Sequence, residues 1–163
     1  MSKNHRKVVI AIDPNSPQTT YVLTWAVENF LSADRDQVEV VTGHLLNADY
    51  DPNATDNLYV GEYLTEIEQE TEKKLLEKLE KQTDILRDAK IQYSIKLLTC
   101  QTDTRKCLSD HIEDVKADVL LIGNRDLSHW KRMWLGSFCD FLVHSVHCPV
   151  VVIKPPRDRE TTA

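Results

Sequence analysis

The chain has 163 residues and a formal net charge of −6, with 41% hydrophobic and 28% charged residues. That length and composition fit one globular domain with a full apolar core. An acidic balance argues against non-specific binding to nucleic acid or to an anionic membrane surface, so an anionic ligand must be held by local groups.

The opening Met1–Lys7 is polar, and no apolar run approaches bilayer length, so neither a leader nor a membrane span is expected. Cys100, Cys107, Cys139 and Cys148 show no CxxC and no disulfide-scaffold spacing, which points to reduced thiols in a cytoplasmic setting. Asn53-Ala54-Thr55 matches a glycosylation sequon and is read as chance.

In chain order, Val8–Ile12 is a short unbroken apolar run, expected to be a strand buried on both faces. Asp13-Pro14-Asn15-Ser16-Pro17 is a turn cluster, with Ser16 expected to cap a helix whose first residue is Pro17. Val22, Trp25, Ala26, Asn29 and Phe30 follow at helical spacing, and Val38–Leu46 reads as a second strand. After a polar loop from Asn47 to Gly61, one long helix is expected from about Glu62 to Ala89, striped by Leu64, Ile67, Leu75, Leu79, Leu86 and Ala89. Tyr93–Thr99 is a third strand. Thr102-Asp103 opens a helix carrying Leu108, Ile112 and Val115, and Val119–Ile122 is a fourth strand. A helix from Ser137 and a last strand, Cys148–Ile153, complete a single domain with its core over about residues 6–154 and a loose charged tail at 155–163. Apolar strands alternating with amphipathic helices specify an α/β fold: one five-stranded parallel sheet with helices on both faces. Ligands of such sheets sit beyond the C-terminal strand ends, where the strand order reverses.

The chemistry concentrates around Gly123 and Gly136-Ser137, two of only four glycines, which bracket one polar loop. Glycine at a strand end allows close backbone approach, and a Gly-Ser helix start offers unpaired amides, a hydroxyl and the positive end of the helix dipole. Those groups suit a phosphate. Ser137-x-x-Asp140 is also a capping-box pattern that needs no ligand. Asp13, ending the first strand, is placed either to accept from a ligand or to make an Asx-turn into Pro14.

Over nearly its whole length the sequence resembles the universal stress protein domains, through Asp13, the long second helix, the Gly123-to-Ser137 loop and the closing Cys148-Pro149-Val150-Val151-Val152. The resemblance implies a Rossmann-like, adenine nucleotide alpha hydrolase-like sheet of order 3-2-1-4-5. It also implies a stress-response role exercised by binding and signalling, and a homodimer formed through the last strand, Pro149 to Ile153. The family's nucleotide-binding members carry G-x2-G-x9-G-[ST], which Gly123, Gly136 and Ser137 match, while Asp126 stands at the second glycine. Carried over residue by residue, the resemblance assigns adenosine contacts to Ile12, Asp13, Pro14 and Leu45. Phosphate contacts of an ATP, with or without Mg2+, fall to Gly123, Arg125, Asp126, Gly136, Ser137 and the Phe138 amide.

Asp126 leaves two alternatives open: a dimeric stress-response interaction module without nucleotide, or a slow ATPase or phosphotransferase using Asp126 as metal ligand or base. A carboxylate beside a triphosphate is repulsive by on the order of 1 kcal/mol or more at close range, and Arg125, Lys131 and Arg132 are the local groups able to offset it. Trp130 and Trp134 flank these cations, positioned to stack on a ligand or to cover the sheet edge. His144-x-x-His147-Cys148 lacks a fourth metal ligand. Asp49-x-Asp51-x-Asn53 lacks the glycine and glutamate of a calcium loop, and Cys139 reads as a small core residue.

Overall fold

The computed structural model describes residues 5–46, 58–124 and 136–154, with side chains from 65 onward in the second stretch. Its elements are β1 (Arg6–Ala11), α1 (Thr19–Asn29), β2 (Asp36–Leu45), α2 (Leu58–Gln82), α3 (Asp84–Asp88), β3 (Gln92–Cys100), α4 (Thr104–Asp114), β4 (Val119–Gly123), α5 (Ser137–Ser145) and β5 (Val150–Ile153). The strands form one sheet in the order β3-β2-β1-β4-β5, and all four pairings are parallel. The expected α/β architecture and strand order are therefore observed. No described helix is long and apolar enough to cross a membrane.

Why the strands read as unbroken apolar runs is visible in the two cores. Side chains alternate across a strand, so Val8 and Ile10 of β1 and Val119 and Leu121 of β4 face one way, with Val22, Leu23 and Ala26 of α1, Leu79 of α2 and Leu86 of α3. Val9 and Ala11 of β1 and Leu120 and Ile122 of β4 face the other way, with Leu108 and Ile112 of α4 and Cys139 and Leu142 of α5. Each fully buried Val, Leu or Ile contributes about 1.5–3 kcal/mol relative to exposure, and β1 and β4 contribute such residues to both cores.

Two sequence expectations about helices are corrected. The single long helix ends at Gln82, and a separate short turn, α3, follows. Thr83 is fully buried there, and its hydroxyl donates back to the Leu79 and Glu80 carbonyls at 2.9 and 3.1 Å, a bond that competes with the helical ladder and bends it. Lys90, at φ 58°, then reverses the chain so that the Ile91 amide donates to the Leu86 carbonyl at 2.9 Å. The start of α1 is also later than expected. Ser16 and Pro17 belong to turns: the Ser16 hydroxyl accepts from the Gln18 amide at 3.2 Å, and the helix begins at Thr19.

At the N-terminal end of the sheet, Asp36 is 1% exposed and accepts from Arg6 (2.8 and 3.0 Å), Arg35 (3.0 Å) and the Ser32 amide (2.8 Å). Arg6 also stacks over Phe30, 4.4 Å from the ring centroid. Burial alone would raise the Asp36 carboxyl, but hydrogen bonds from Arg35, Arg6 and Ser32 outweigh it and hold the group below its ordinary value. A carboxylate lowered on folding adds stability above its unfolded pKa, and that stability is lost as pH falls through the folded value. Asp36→Asn is expected to cost about 1.5–3 kcal/mol in urea unfolding near neutrality. The difference from the native chain should stay constant above about pH 5 and shrink below about pH 4; a pH-independent difference contradicts the assignment.

Candidate functional site

β1 lies between β2 and β4 in register Ala11↔Val41 and Ala11↔Ile122, so the loops leaving β1, β2 and β4 emerge together at the C-terminal edge of the sheet. Between them opens a crevice of about 260 Å³. Its floor is Ala11, Ile12, Val41, Thr42 and Ile122; Thr19 and Val22 of α1 wall one side, Thr104 and Leu108 of α4 another, and Phe138 and Cys139 of α5 a third. Among the described residues the lining holds one carboxylate, Asp13, and no cation.

The loop after β1 is held by its own polar groups. One Asp13 carboxylate oxygen accepts from the Asn15 amide at 2.9 Å, and the Asp13 carbonyl accepts from the Ser16 amide at 2.9 Å and the Thr19 hydroxyl at 2.5 Å. The Asx-turn is thus formed, and it fixes the carboxylate at the crevice rim. Behind it, the C-terminal half of α2 braces the loop: Lys78 donates to the Asn15 side-chain oxygen and Gln82 to the Pro14 carbonyl, each at 3.0 Å.

Gly123 works by close approach. A Cβ at this position would lie 2.8 Å from Val22 Cγ2, and no described glycine has a positive φ. The glycine lets α1 press against the end of β4 and narrows the crevice between them. At α5, Gly136 precedes Ser137 as the residue flanking the helix, and the Asp140 amide donates to the Gly136 carbonyl at 2.9 Å. The capping box is corrected: Ser137 is the first helical residue, exposed, and no side-chain cap bond forms at Gly136.

Of the residues singled out in the sequence, the fold brings Ile12, Asp13, Leu45, Gly123, Gly136 and Phe138 to this crevice. Pro14 is buried just outside the lining, and Ser137 sits on the exposed first turn of α5. Arg125, Asp126, Trp130, Lys131, Arg132 and Trp134 lie outside the described residues. His144 and His147 have different partners: His144 Nδ1 lies 2.8 Å from the Asp140 backbone carbonyl, whereas His147 donates its amide to Glu113 at 2.9 Å and sets its ring 3.1 Å from the other carboxylate oxygen. Cys139 is 2% exposed and packs in the second core, as the sequence reading expected.

Sequence reasoning missed the α4 wall. Gly43, inside β2, also lines the crevice, and a Cβ there would meet Thr104 Cβ and Cγ2 at 3.4 Å and Cys100 Sγ at 3.7 Å. A glycine interrupting an apolar strand was the available signal, since it marks close approach of other backbone or ligand. The reading of the cysteines is overturned as well: Cys100, ending β3, and Cys107, in α4, form a disulfide with a Cα–Cα distance of 5.9 Å. Linear spacing did not show it, because the pair is made by the chain doubling back from a strand end into the next helix.

A family model described as the universal stress protein family matches residues 4–154. A universal stress protein of Methanocaldococcus jannaschii is 36% identical over 45 residues, a match that spans 28% of this chain and 26% of that protein's length. Universal stress protein UspA from Lactobacillus plantarum superposes with a TM-score of 0.72 at 14% identity, covering 92% of this chain and 98% of that one. The universal stress protein from Archaeoglobus fulgidus in complex with dAMP superposes with a TM-score of 0.58 at 20% identity, covering 92% and 98%. At such identities these two structures show a shared fold.

The contact at Gly123 yields a direct test. Gly123→Ala is expected to destabilise the chain by about 1–3 kcal/mol through overpacking against Val22, and Val22→Ala in the same chain should recover part of that loss. Unfolding in urea measures both, and additive losses in the double variant contradict the contact.

Proposed function

The chain belongs to the universal stress protein family, and on that footing we propose that it binds an adenine nucleotide in the crevice and serves a stress response by binding rather than turnover. The observation that carries the reading is the meeting of Asp13, Leu45, Gly123, Gly136 and Phe138 around one nucleoside-sized space at the switch point of the sheet. The Asp13 carboxylate offers an acceptor to a ribose hydroxyl or adenine amine. Ile12 and the end of β2 at Leu45 offer an apolar and backbone surface to the base. The start of α5 turns its amides and dipole toward a phosphate. Similarity to a fold whose Archaeoglobus fulgidus member was solved with dAMP supports the class of ligand.

ATP with Mg2+ is the finer form of the proposal, and Arg125, Asp126 and Ser137 are its phosphate-side residues. Asp126 adds a negative charge on the phosphate side, so a monophosphate, with less charge to repel, is the better-matched ligand of the native chain. Isothermal calorimetry with AMP and with ATP plus magnesium tests this. AMP is expected to bind, and Asp13→Asn to weaken it about tenfold, the equivalent of 1.4 kcal/mol. Asp126→Gly should tighten ATP more than AMP. Absence of binding in both the native chain and Asp126→Gly sinks the nucleotide reading and favours an interaction module.

The same proposal includes a cytoplasmic homodimer. β5 is an edge strand whose other side is unpaired among the described residues, and its Val150, Val151 and Val152 are half-buried. Such an apolar edge calls for a cover, which a second copy supplies. Light scattering should give a dimer for the native chain and a monomer for Val151→Arg; a dimer that survives the arginine removes β5 from the interface.

A further inference from the structure

We propose that Cys100 and Cys107 are a reversible dithiol–disulfide pair that clamps the α4 wall of the crevice and so sets its affinity for the ligand; the ligand arm of this proposal rests on the nucleotide reading above. The two cysteines differ in mobility and access. Cys100 is 2% exposed and locked into the sheet, paired in register with Leu45 and accepting from the Leu46 amide at 2.9 Å. Cys107 is half-buried on α4, flanked three residues earlier by Thr104 and one residue later by Leu108, both of which line the crevice. Only residues 101–103 join the end of β3 to the start of α4. Asp103 caps that helix by accepting from the Arg105 amide at 2.9 Å, and Arg105 lies over Phe141 of α5, 5.2 Å from its ring centroid.

Two unbonded thiol sulfurs require van der Waals separation, well beyond a bonded pair. With Cys100 fixed by the ladder, reduction is taken up at the first turn of α4. Thr104 and Leu108 move with it, and Thr104 is the side chain packed against Gly43 of β2, where an added Cβ would meet it at 3.4 Å.

The chemistry is thiol–disulfide exchange with a low-molecular-weight thiol such as glutathione. An external thiolate attacks the Cys107 sulfur, the more accessible of the two. A mixed disulfide forms there, the Cys100–Cys107 bond breaks, and its electron pair leaves on Cys100, which takes up a proton. A second external thiolate attacks the external sulfur of the mixed disulfide. Cys107 leaves as thiolate and is protonated, and one small-molecule disulfide is released for two thiols consumed. Oxidation is the reverse, with the small-molecule disulfide as oxidant. In the cytoplasmic setting proposed above, disulfides are usually transient and redox-sensing, which suits a switch better than a structural staple.

The test compares the full-length chain equilibrated with oxidised glutathione, the same chain with an excess of dithiothreitol, and the Cys100→Ser/Cys107→Ser variant under both conditions. Alkylation and mass spectrometry should find Cys100 and Cys107 bridged in the oxidised form and both free in the reduced form. Amide exchange over residues 104–108 should quicken on reduction of the native chain and be indifferent to reductant in the variant. AMP should bind at least about fivefold more weakly to the reduced chain, at the lower end of ordinary coupling between sites, and equally under both conditions to the variant. Two free thiols after oxidation, unchanged exchange, or equal AMP affinity in both forms overturns the proposal. If AMP binds neither form, the nucleotide reading has failed instead, and thiol state and amide exchange alone decide whether the clamp exists.

Discussion

The structure depends on β1 being hydrogen-bonded on both sides at the point where the chain reverses its direction of travel across the sheet. From β1 the chain runs outward through β2 to β3; it then returns to the other side of β1 for β4 and continues to β5. Because β1 pairs with β2 and β4 in parallel, the loops after β1 and β4 must diverge toward helices on opposite faces: α1 belongs to one core and α5 to the other. A gap opens between diverging loops, and the crevice is that gap. The apolar character of β1 and β4 on both faces is therefore the cause of the site as well as of the core.

The two ends of the sheet use polar groups differently. At the N-terminal end, the buried Asp36 carboxylate gathers Arg6, Arg35 and the Ser32 amide into a cluster that ties the first two strands to the loop before β2. At the C-terminal end, Asp13 and Thr19 hold the loop in one shape while leaving the surface it borders concave. Glycines extend the second device, since at Gly123 and Gly43 a missing side chain lets a neighbouring helix come close. Among the described residues the crevice is thus shaped by backbone turns and by absent Cβ atoms.

The α4 wall has a different origin. Its placement on the sheet depends on Leu108 and Ile112 packed in the second core, on His111 paired with Glu39 of β2 and on the Cys100–Cys107 bridge. Two of these are non-covalent and one is covalent. Among the described residues, the α4 wall thus carries a covalent tie to the strand it follows, which the α1 and α5 walls do not.

Period and punctuation in the sequence determined most of the secondary structure. Unbroken β-branched runs meant strands covered on both faces, and Gly123 and Gly136 marked a strand end and a helix start. Asp13 was legible as a turn residue because Asp followed by Pro and Asn has a short-range preference that no distant contact overrules. Three features were decided only by the tertiary structure. The break at Thr83 needs a buried hydroxyl turned back onto its own helix, the α4 wall needs Gly43 set against Thr104, and the disulfide needs two elements folded side by side. The sequence by itself established the fold class and one side of the site, because strand and turn preferences are local. Only packing decided which residues complete the other side, because proximity across 7 residues or across a sheet is a property of the folded chain.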